Sequence, residues 1–498
     1  MLIPDQQRRF ALDVVRRLRE AGFQAYWAGG CVRDQLLGRT PKDYDVATNA
    51  VPDQVRALFG RRRTLAIGAA FGVIAVIGPK PAGMVEVTTF RRDAPYSDGR
   101  HPDSVAFSSP EEDASRRDFT INGLFYDPVE DRVIDYVGGQ ADLAAKRIRA
   151  IGNARHRFAE DKLRMLRAVR FAATFAFALD DDARAAVAEM AAEIHVVSPE
   201  RIAMEMRRLL SDASRAVGVR LMWETRLAPE VLPEIVPHDD AQQRRLDETL
   251  ELLARLHDEC GFPLALAALL HPWVDARGAR AVCQRWKLSN KETDRVGWLV
   301  ANRAALQNAR EMRWSMLQPL LIAEGIDDLL KLMEAASPAS IETVAHCRSL
   351  LAQPREALDP PPLLTGDDLL AHGVLAGPQY RILLDRIRAA QLDGELGTKD
   401  EALAMVDKWK LVDSGEGRTA SCLGPAIVPG VEVRFIHTNG HSLMDKKVKK
   451  KSQVLQQRIQ TLRQQLAGAK KQMDDARELK AVEQQLAAAE AELAKIKE

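Results

Sequence analysis

The sequence predicts an α+β amino-terminal head, with a small mixed sheet and helices, followed by an all-α neck, body and tail and a carboxy-terminal coiled coil. Within residues 1–150, two β-branched runs, VIAVIG at 73–78 and MVEVTTF at 84–90, lie among helical segments. From about 151 to 410, Ala, Leu, Arg and Glu recur at helical spacing, with Pro and Gly at turns. In the last run, apolar residues alternate spacings of four and three, as a coiled-coil seam requires: Leu455, Ile459, Leu462 and Leu466.

These changes in composition predict five segments, which are a head at 1–150, a helical neck at 151–215, a helical body and tail at 216–412, a linker at 413–445 and a coiled coil at 446–498. The neck is expected to carry a base-reading motif and to bind RNA. The coiled coil could pair within one chain or between chains, so self-association is one possible role for it.

Composition and charge restrict the possible classes of protein. The chain has 498 residues, 46% of them apolar, and a net charge of +1 from 71 basic and 70 acidic residues, so any attraction to nucleic acid must come from local patches. No stretch approaches 18 consecutive apolar residues, and we expect no membrane span. The scattered cysteines show no CxxC spacing, which argues against zinc or a disulfide framework and favours the cytoplasm: Cys31, Cys260, Cys283, Cys347 and Cys422.

The stretch YWAGGCVRDQLLGRTPKDYDVATN at 26–49 carries the first candidate site. Asp43 and Asp45 are two residues apart, and in an extended strand such side chains point the same way. Paired carboxylates of this kind hold two Mg²⁺ ions for in-line phosphoryl transfer. Upstream, Gly29 and Gly30 predict a turn into a helix, where the backbone can approach a triphosphate. Together these features predict nucleotidyl transfer.

A second candidate site lies in EDKLRMLRAVRFA, where charged residues recur every three positions and predict a stripe along one helix: Asp161, Arg164, Arg167 and Arg170. Cytosine and adenine both present an amino donor beside a ring-nitrogen acceptor. A carboxylate beside a guanidinium would therefore accept C and A and reject U and G. Asp161 and Arg164 would form this pair, leaving Arg167 and Arg170 free for phosphates. An ordinary surface ion-pair stripe has the same spacing.

Several motifs, in this order, resemble those of the class II tRNA nucleotidyltransferases, or CCA-adding enzymes, and of the related bacterial poly(A) polymerases. GGCVRDQLLGRTPKDYDVAT resembles the nucleotidyltransferase motif, and the stretch that contains RRDFTIN is similar to the flexible loop and ribose-recognition motif. EDKLRMLRAVRFA resembles the base-reading motif, and SPERIAMEMRRLL resembles the next helix. The resemblance covers the first 210 or so residues.

The resemblance implies roles for individual residues. Gly30 and Arg33 would contact the triphosphate, and the DYD carboxylates would bind Mg²⁺. Arg117 with Asp118 would contact the nucleotide, with the ribose 2′-OH as a target. Glu86 would be either a third carboxylate near the metals or a strand-face glutamate with an arginine partner. The substrates would be CTP, ATP and the 3′ end of a tRNA.

The sequence weighs four activities within the family against one another. Poly(A) polymerases carry a GRRF-type run after the metal strand, whereas this chain has GRRRT at 60–64, which favours addition of C, C and A. A full-length loop at 91–103 disfavours an enzyme that adds only CC, and one that adds only A remains an alternative. A remote alternative is an RNA-binding scaffold without activity.

The middle of the chain resembles the start of an HD phosphohydrolase domain, with two differences. Glu248 stands where the first His would be expected, and His271 is followed by Pro272 in place of Asp. We therefore expect no hydrolase metal there, and His271 to be a packed core or cap residue. Candidate tRNA-backbone contacts lie on the preceding helix: Arg201, Arg207 and Arg208.

Overall fold

The computed structural model describes residues 4–68, 71–93, 105–375, 377 and 379–414. Its head contains the strands β1 Ala25–Ala28, β2 Asp45–Thr48, β3 Thr64–Gly68, β4 Val73–Ile77, β5 Met84–Thr89, β6 Arg91–Asp93, β7 Val105–Phe107, β8 Phe125–Asp127 and β9 Arg132–Ile134. Seven of them form a mixed sheet in the order β3-β4-β5-β2-β1-β8-β9, in which β2 is antiparallel to β1 and parallel to β5. The predicted strands at 73–78 and 84–90 are confirmed as β4 and β5.

Most of the core of the head lies between one face of the sheet and its helices, and a smaller apolar cluster that includes Ala47 and Ala114 lies on the other face. The head helices are α1 Pro4–Glu20, α2 Gly30–Leu36, α3 Pro52–Phe59, α4 Pro110–Ser115 and α5 Gly139–Ala144. α1 contacts β1, β2 and β5, and α3 contacts β4. Val46, Val85 and Val87 are buried toward this core, whereas Asp45 and Glu86, at alternate positions, point to the other face. This alternation places the carboxylates on the face that α1 and α3 leave uncovered.

The neck and body are helical, as predicted. Their helices are α6 Ala154–Glu160, α7 Leu163–Phe175, α8 Asp181–Met190, α9 Pro199–Leu210, α10 Arg215–Glu224, α11 Leu227–Val231, α12 Asp240–Arg255, α13 Phe262–Leu270, α14 Ala276–Arg285, α15 Asn290–Asn302, α16 Trp314–Leu321, α17 Ile326–Ala336, α18 Ile341–Leu351, α19 Arg355–Leu358, α20 Gly366–Ala371, α21 Gln379–Leu392 and α22 Lys399–Ser414. One small departure is a parallel pair of two-residue strands, β10 Arg147–Ile148 and β11 Ala178–Leu179, the second of which lies in the predicted all-α neck.

A buried arginine joins the neck to the body. Arg215, the first residue of α10, has no exposed surface, and its guanidinium donates hydrogen bonds to the backbone carbonyls of Leu210, Leu253, Leu256, His257 and Asp258. These carbonyls lie at or just beyond the carboxyl ends of α9 and α12, where helices leave acceptors unpaired. A single side chain therefore satisfies two helix ends inside the protein.

The predicted coiled coil and nearly all of the predicted linker lie outside the described residues, as does most of the predicted loop at 91–103. In the part of the chain that the structure describes, no helix has the length and apolar character that crossing a bilayer demands.

Candidate functional site

The glycine turn is confirmed between β1 and α2. Gly29 has φ +74° and ψ −126°, a conformation that residues with a Cβ rarely adopt. A Cβ added there would lie 2.8 Å from Nη1 of Arg117. The backbone conformation requires glycine at 29, and a Cβ there would displace the guanidinium of the arginine that is implied to contact the nucleotide.

The carboxylates that are predicted to bind Mg²⁺ lie beside this turn. Asp45, the first residue of β2, pairs in register with Ala28, the last residue of β1, and on its other side with Glu86 of β5. Asp43 is exposed and Tyr44 between the two aspartates is buried, so Asp43 and Asp45 face the same side. Burial, Asp43 and Glu86 raise the pKa of Asp45 to about 7, against the opposing effect of Arg117. Three carboxylates therefore lie within electrostatic reach of one another.

The donor set fits Mg²⁺ shared with a substrate. Carboxylate oxygens are the ligands that Mg²⁺ prefers, and it is usually held by one or two of them together with substrate phosphates and water. Within the described ranges, no group of three or more His, Cys, Asp or Glu side chains forms a metal site by itself. Burial, and then repulsion from Asp43 and Glu86, raise the pKa of Asp45, and a bound divalent cation would oppose both effects.

Arg33 is attached to both the head and the neck. Its guanidinium lies over the rings of Phe171 and Phe175 of α7, 5.4 and 4.6 Å from their centroids. Nε and Nη2 donate to Asp34, and Nη1 donates to Oδ1 of Asn122 at 2.6 Å. These contacts fix the direction of a side chain that is implied to bind the triphosphate.

Asn122 joins three of the predicted site residues. Besides accepting from Arg33, it donates from Nδ2 to Oδ1 of Asp118 at 3.0 Å, and its backbone carbonyl accepts from Nη1 of Arg117 at 3.4 Å. It is 8% exposed. Its place at the end of RRDFTIN gave no separate signal in the sequence, because an Asn in a turn has many ordinary roles.

Arg116 and Arg117 share one buried carboxylate. Asp113 has no exposed surface and binds Nη2 of Arg116 at 2.7 Å and Nη2 of Arg117 at 3.0 Å, through different oxygens. Burial alone would raise the pKa of Asp113, but Arg117 and Arg116 hold it below its ordinary value. Sequence reasoning missed Asp113, which orients the arginine that is predicted to contact the nucleotide.

Arg167 and Arg170 are not the free cations that the sequence predicts, while their contact with nucleotide phosphates stays a prediction. Arg167 binds Oδ2 of Asp118 through Nε and Nη2, at 2.9 and 2.6 Å, and Arg170 binds Glu205 at 2.6 Å. Glu205 of α9 is 3% exposed and also accepts from Arg208. A buried carboxylate requires such partners because an unpaired buried charge is strongly destabilising.

The contact with Arg167 also keeps the carboxylate of Asp118 ionised. Burial would raise its pKa, but Arg167, Asn122 and the backbone N–H of Phe119 lower it to about 2. The carboxylate thus takes part in a head-to-neck ion pair, and its Oδ1 is bonded to Asn122 and Phe119. Its predicted direct contact with the nucleotide stays a prediction.

The predicted single stripe is also wrong at its first member. Asp161 has extended backbone angles and lies between α6 and α7, whereas the three arginines lie on α7. Its Oδ1 accepts from the backbone N–H of Leu163, which favours a helix start there, and its Oδ2 binds Nη2 of Arg201 at 2.7 Å. Arg164 binds Glu160 at 2.6 Å. Both members of the proposed base-reading pair are therefore held by residues outside it.

The arginines of α9 that are candidate tRNA contacts each form an ion pair with another residue of the protein. Arg201 and Arg208 are paired as described, and Arg207 binds Glu292 at 2.5 Å and lies over the ring of Phe262. His271, by contrast, lies where the sequence predicts. It is the residue that caps the carboxyl end of α13, and its Nε2 is buried without a hydrogen-bond partner among the described residues.

Two family models match the chain, "Poly A polymerase head domain" over residues 25–149 and "Probable RNA and SrmB- binding site of polymerase A" over 176–238. A CCA-adding enzyme of Geobacillus thermodenitrificans is 34% identical over 79% of this chain and 95% of its own length. One from Levilactobacillus brevis is 32% identical over 80% and 97%. The crystal structure of the Bacillus stearothermophilus CCA-adding enzyme in complex with CTP matches with a TM-score of 0.66 and 30% identity, covering 83% of this chain and 99% of that one.

Proposed function

Because the chain belongs to the family of the CCA-adding enzymes, we propose that Asp43 and Asp45 are its catalytic carboxylates. The enzyme is a tRNA nucleotidyltransferase that adds C, C and A to the 3′ end of tRNA from CTP and ATP. The observation that carries the assignment is the register of β2, which sets Asp45 beside Glu86 and directly opposite the residue before the Gly29 turn.

Asp43 and Asp45 would hold Mg²⁺, with Glu86 within reach as a third carboxylate. Bound there, Mg²⁺ lowers the pKa of the attacking 3′-hydroxyl and neutralises charge on the triphosphate. The chain itself would position the reactants. The bare backbone of Gly29 and Gly30 admits the phosphates, and Arg33 is aimed by its contacts with Asn122 and two aromatic rings. The hydroxyl would attack the α-phosphate and pyrophosphate would leave.

Base selection would be carried out by Asp161 and Arg164. An acceptor on the carboxylate and a donor on the guanidinium match the edges of C and A and oppose those of U and G. The contacts of Asp161 with Arg201 and of Arg164 with Glu160 support this role, since each fixes a side chain that would otherwise rotate. With Arg167 and Arg170 both ion-paired, we assign them to holding α7 in place.

The domain boundaries at 150, 215, 412 and 445 and the location in the cytoplasm are further proposals from the sequence. Self-association through the coiled coil at 446–498 is a proposal of the same kind.

The test uses a tRNA transcript that lacks its last three nucleotides, with Mg²⁺ and CTP alone, ATP alone or both, read at single-nucleotide resolution. We expect two additions with CTP and a third when ATP is also present. A long tail from ATP alone would indicate a poly(A) polymerase, and growth only on a transcript that ends in CC would indicate an A-adding enzyme. No product in any reaction would favour the scaffold.

The carboxylates are tested in the same assay by Asp43→Asn and Asp45→Asn, with Asp53→Asn as a control. Asp53 is an exposed carboxylate of the same domain, on α3. We expect both test variants to lose addition while they still bind tRNA, and the control to keep both properties. Full activity in either test variant would refute the assignment.

A further inference from the structure

Three consecutive arginines lie on a 3₁₀ turn between α3 and β3. Arg61, Arg62 and Arg63 are all exposed, and across the described parts of the chain none of them makes an ion pair or hydrogen bond through its side chain. The arginines nearer the carboxylates, such as Arg33 and Arg117, are by contrast bonded to Asp or Asn. The turn therefore carries positive charge that the residues described in the structure do not neutralise.

Strand register places this turn at the same end of the sheet as the carboxylates. Asp45 pairs with Glu86, Glu86 with Ala75, and Ala75 with Leu65, which follows Arg63 by two residues. Residues paired in register point to the same face, so this row of side chains crosses four strands on one side of the sheet. At about 4.8 Å per strand, Leu65 lies about 14 Å from Asp45.

Among the described residues, the surface at the β3 end of this row is exposed and partly apolar, whereas Ala75 within the row is buried. Leu65 is 45% exposed, Met84 52% and Ile67 54%, on an edge strand and close to it. Exposed apolar residues beside unpaired positive charge suit a partner with an anionic backbone and apolar sugar faces, which describes a strand of nucleic acid. A protein strand could also pair with the free edge of β3, but it would not require three positive charges at the end of the row.

We propose that Arg61–Arg63 and Leu65 form a contact surface for the RNA chain just upstream of the nucleotide that is being extended. The inference rests on the proposed function, since it takes the 3′ end of the RNA to lie at Asp45. A distance of about 14 Å corresponds to roughly four stacked nucleotides at about 3.4 Å each. The arginines bind phosphates there, and the apolar side chains contact riboses.

The experiment compares the wild type with a variant in which Arg61, Arg62 and Arg63 are replaced by Gln. A matched control carries Arg9→Gln, Arg16→Gln and Arg244→Gln, three exposed arginines on α1 and α12 that lose the same charge elsewhere. For each protein, KM for the shortened tRNA and for CTP, and kcat, are measured from 50 to 200 mM salt. The dinucleotide CpC serves as a second acceptor, too short to span the row.

We expect the test variant to raise KM for tRNA about tenfold, and the slope of log KM against log salt to fall by about 2, from three lost phosphate contacts at ~0.7 each. KM for CTP, kcat and the use of CpC should remain those of the wild type. Equal tRNA KM and slope in the test and control variants would overturn the inference and leave the edge of β3 to a protein partner. An equal loss with CpC would also overturn it, because the effect would then lie at the catalytic centre.

Failure of the proposed function gives a different result, since the wild type itself would add no nucleotide. Binding of the shortened tRNA, followed by fluorescence anisotropy without nucleotide, still decides the inference in that case. Weaker binding by the test variant than by the control supports the surface, and equal binding refutes it.

Discussion

Replacing His271 by Leu should make the folded protein less sensitive to acid. His271 ends the buried helix α13, and its Nε2 has no partner among the described residues. Burial first, and the positive charge of Arg303 second, lower its pKa from 6.5 to about 4. The folded state therefore keeps the imidazole neutral at a pH at which the unfolded chain has already bound a proton.

The sign and size of the effect follow from linkage. A pKa that is lower in the folded state gives stability that is complete above pH 6.5 and is lost as the pH falls toward 4. Between pH 6.5 and pH 5, a span of 1.5 pH units, protonation of this histidine stabilises only the unfolded chain. At about 1.36 kcal/mol per unit, the free energy of unfolding at pH 5 is therefore lower by about 2 kcal/mol. His271→Leu removes this loss. Its free energy of unfolding, relative to the wild type, should rise by about 2 kcal/mol between pH 7.5 and pH 5.

The measurement is urea unfolding of both proteins at pH 7.5, 6 and 5, with His238→Leu as a control at an exposed histidine. The substitution also alters packing at every pH. Only a change with pH in the difference between the two free energies of unfolding is therefore diagnostic. A constant difference across the series would refute the reasoning. It would mean that His271 takes up its proton in the folded protein at an ordinary pH, as an accessible imidazole would.

Three further predictions concern the site and its support. Gly29→Ala should lower kcat at least tenfold, since the new Cβ would meet Nη1 of Arg117 at 2.8 Å and the backbone would be strained by ~1 kcal/mol or more. The rate of nucleotide addition at saturating substrates measures kcat. An unchanged kcat would contradict the geometry. Arg215→Met should lower the free energy of unfolding by about 3 kcal/mol, because it leaves buried carbonyls unpaired, and a loss under 1 kcal/mol in urea would show that water replaces the guanidinium. Asn122→Ala should raise KM for CTP and ATP alike and leave tRNA binding unchanged. A double-mutant cycle with Arg33→Lys should show coupling between the two residues. Additive effects would mean that Asn122 does not act through Arg33.

Local patterns were sufficient to predict the parts of the site that depend on neighbours in the chain. The turn at Gly29 and the shared direction of Asp43 and Asp45 follow from glycine conformation and from the alternation of a strand. The strands at 73–78 and 84–90 follow from their β-branched residues. Each of these features involves residues only a few positions apart, where sequence spacing limits the geometry strongly.

Contacts between distant segments could not be predicted in this way. Spacing alone made Arg167 and Arg170 look like free cations, because it does not show that Asp118 and Glu205 lie opposite them, 49 and 35 residues away. The prediction that Asp161 belongs to the helical stripe is wrong for a local reason. An aspartate can bond the first N–H groups of the next helix, and here this bond ends the regular spacing two residues before α7 begins.

The ion pairs that contradict the free-arginine prediction explain how two functions share one helix. One side of α7 carries Phe171 and Phe175, which lie under Arg33, and Arg164, at its first turn, belongs to the proposed base-reading pair. Arg167 between them fastens the helix to Asp118 of the head. A shift of α7 against the head would disturb Arg33 and Arg164, the arginines proposed for triphosphate binding and base reading, together. We therefore propose that the charged residues of α7 hold the proposed phosphate-binding and base-reading side chains in one fixed geometry, while the RNA end changes from one addition to the next.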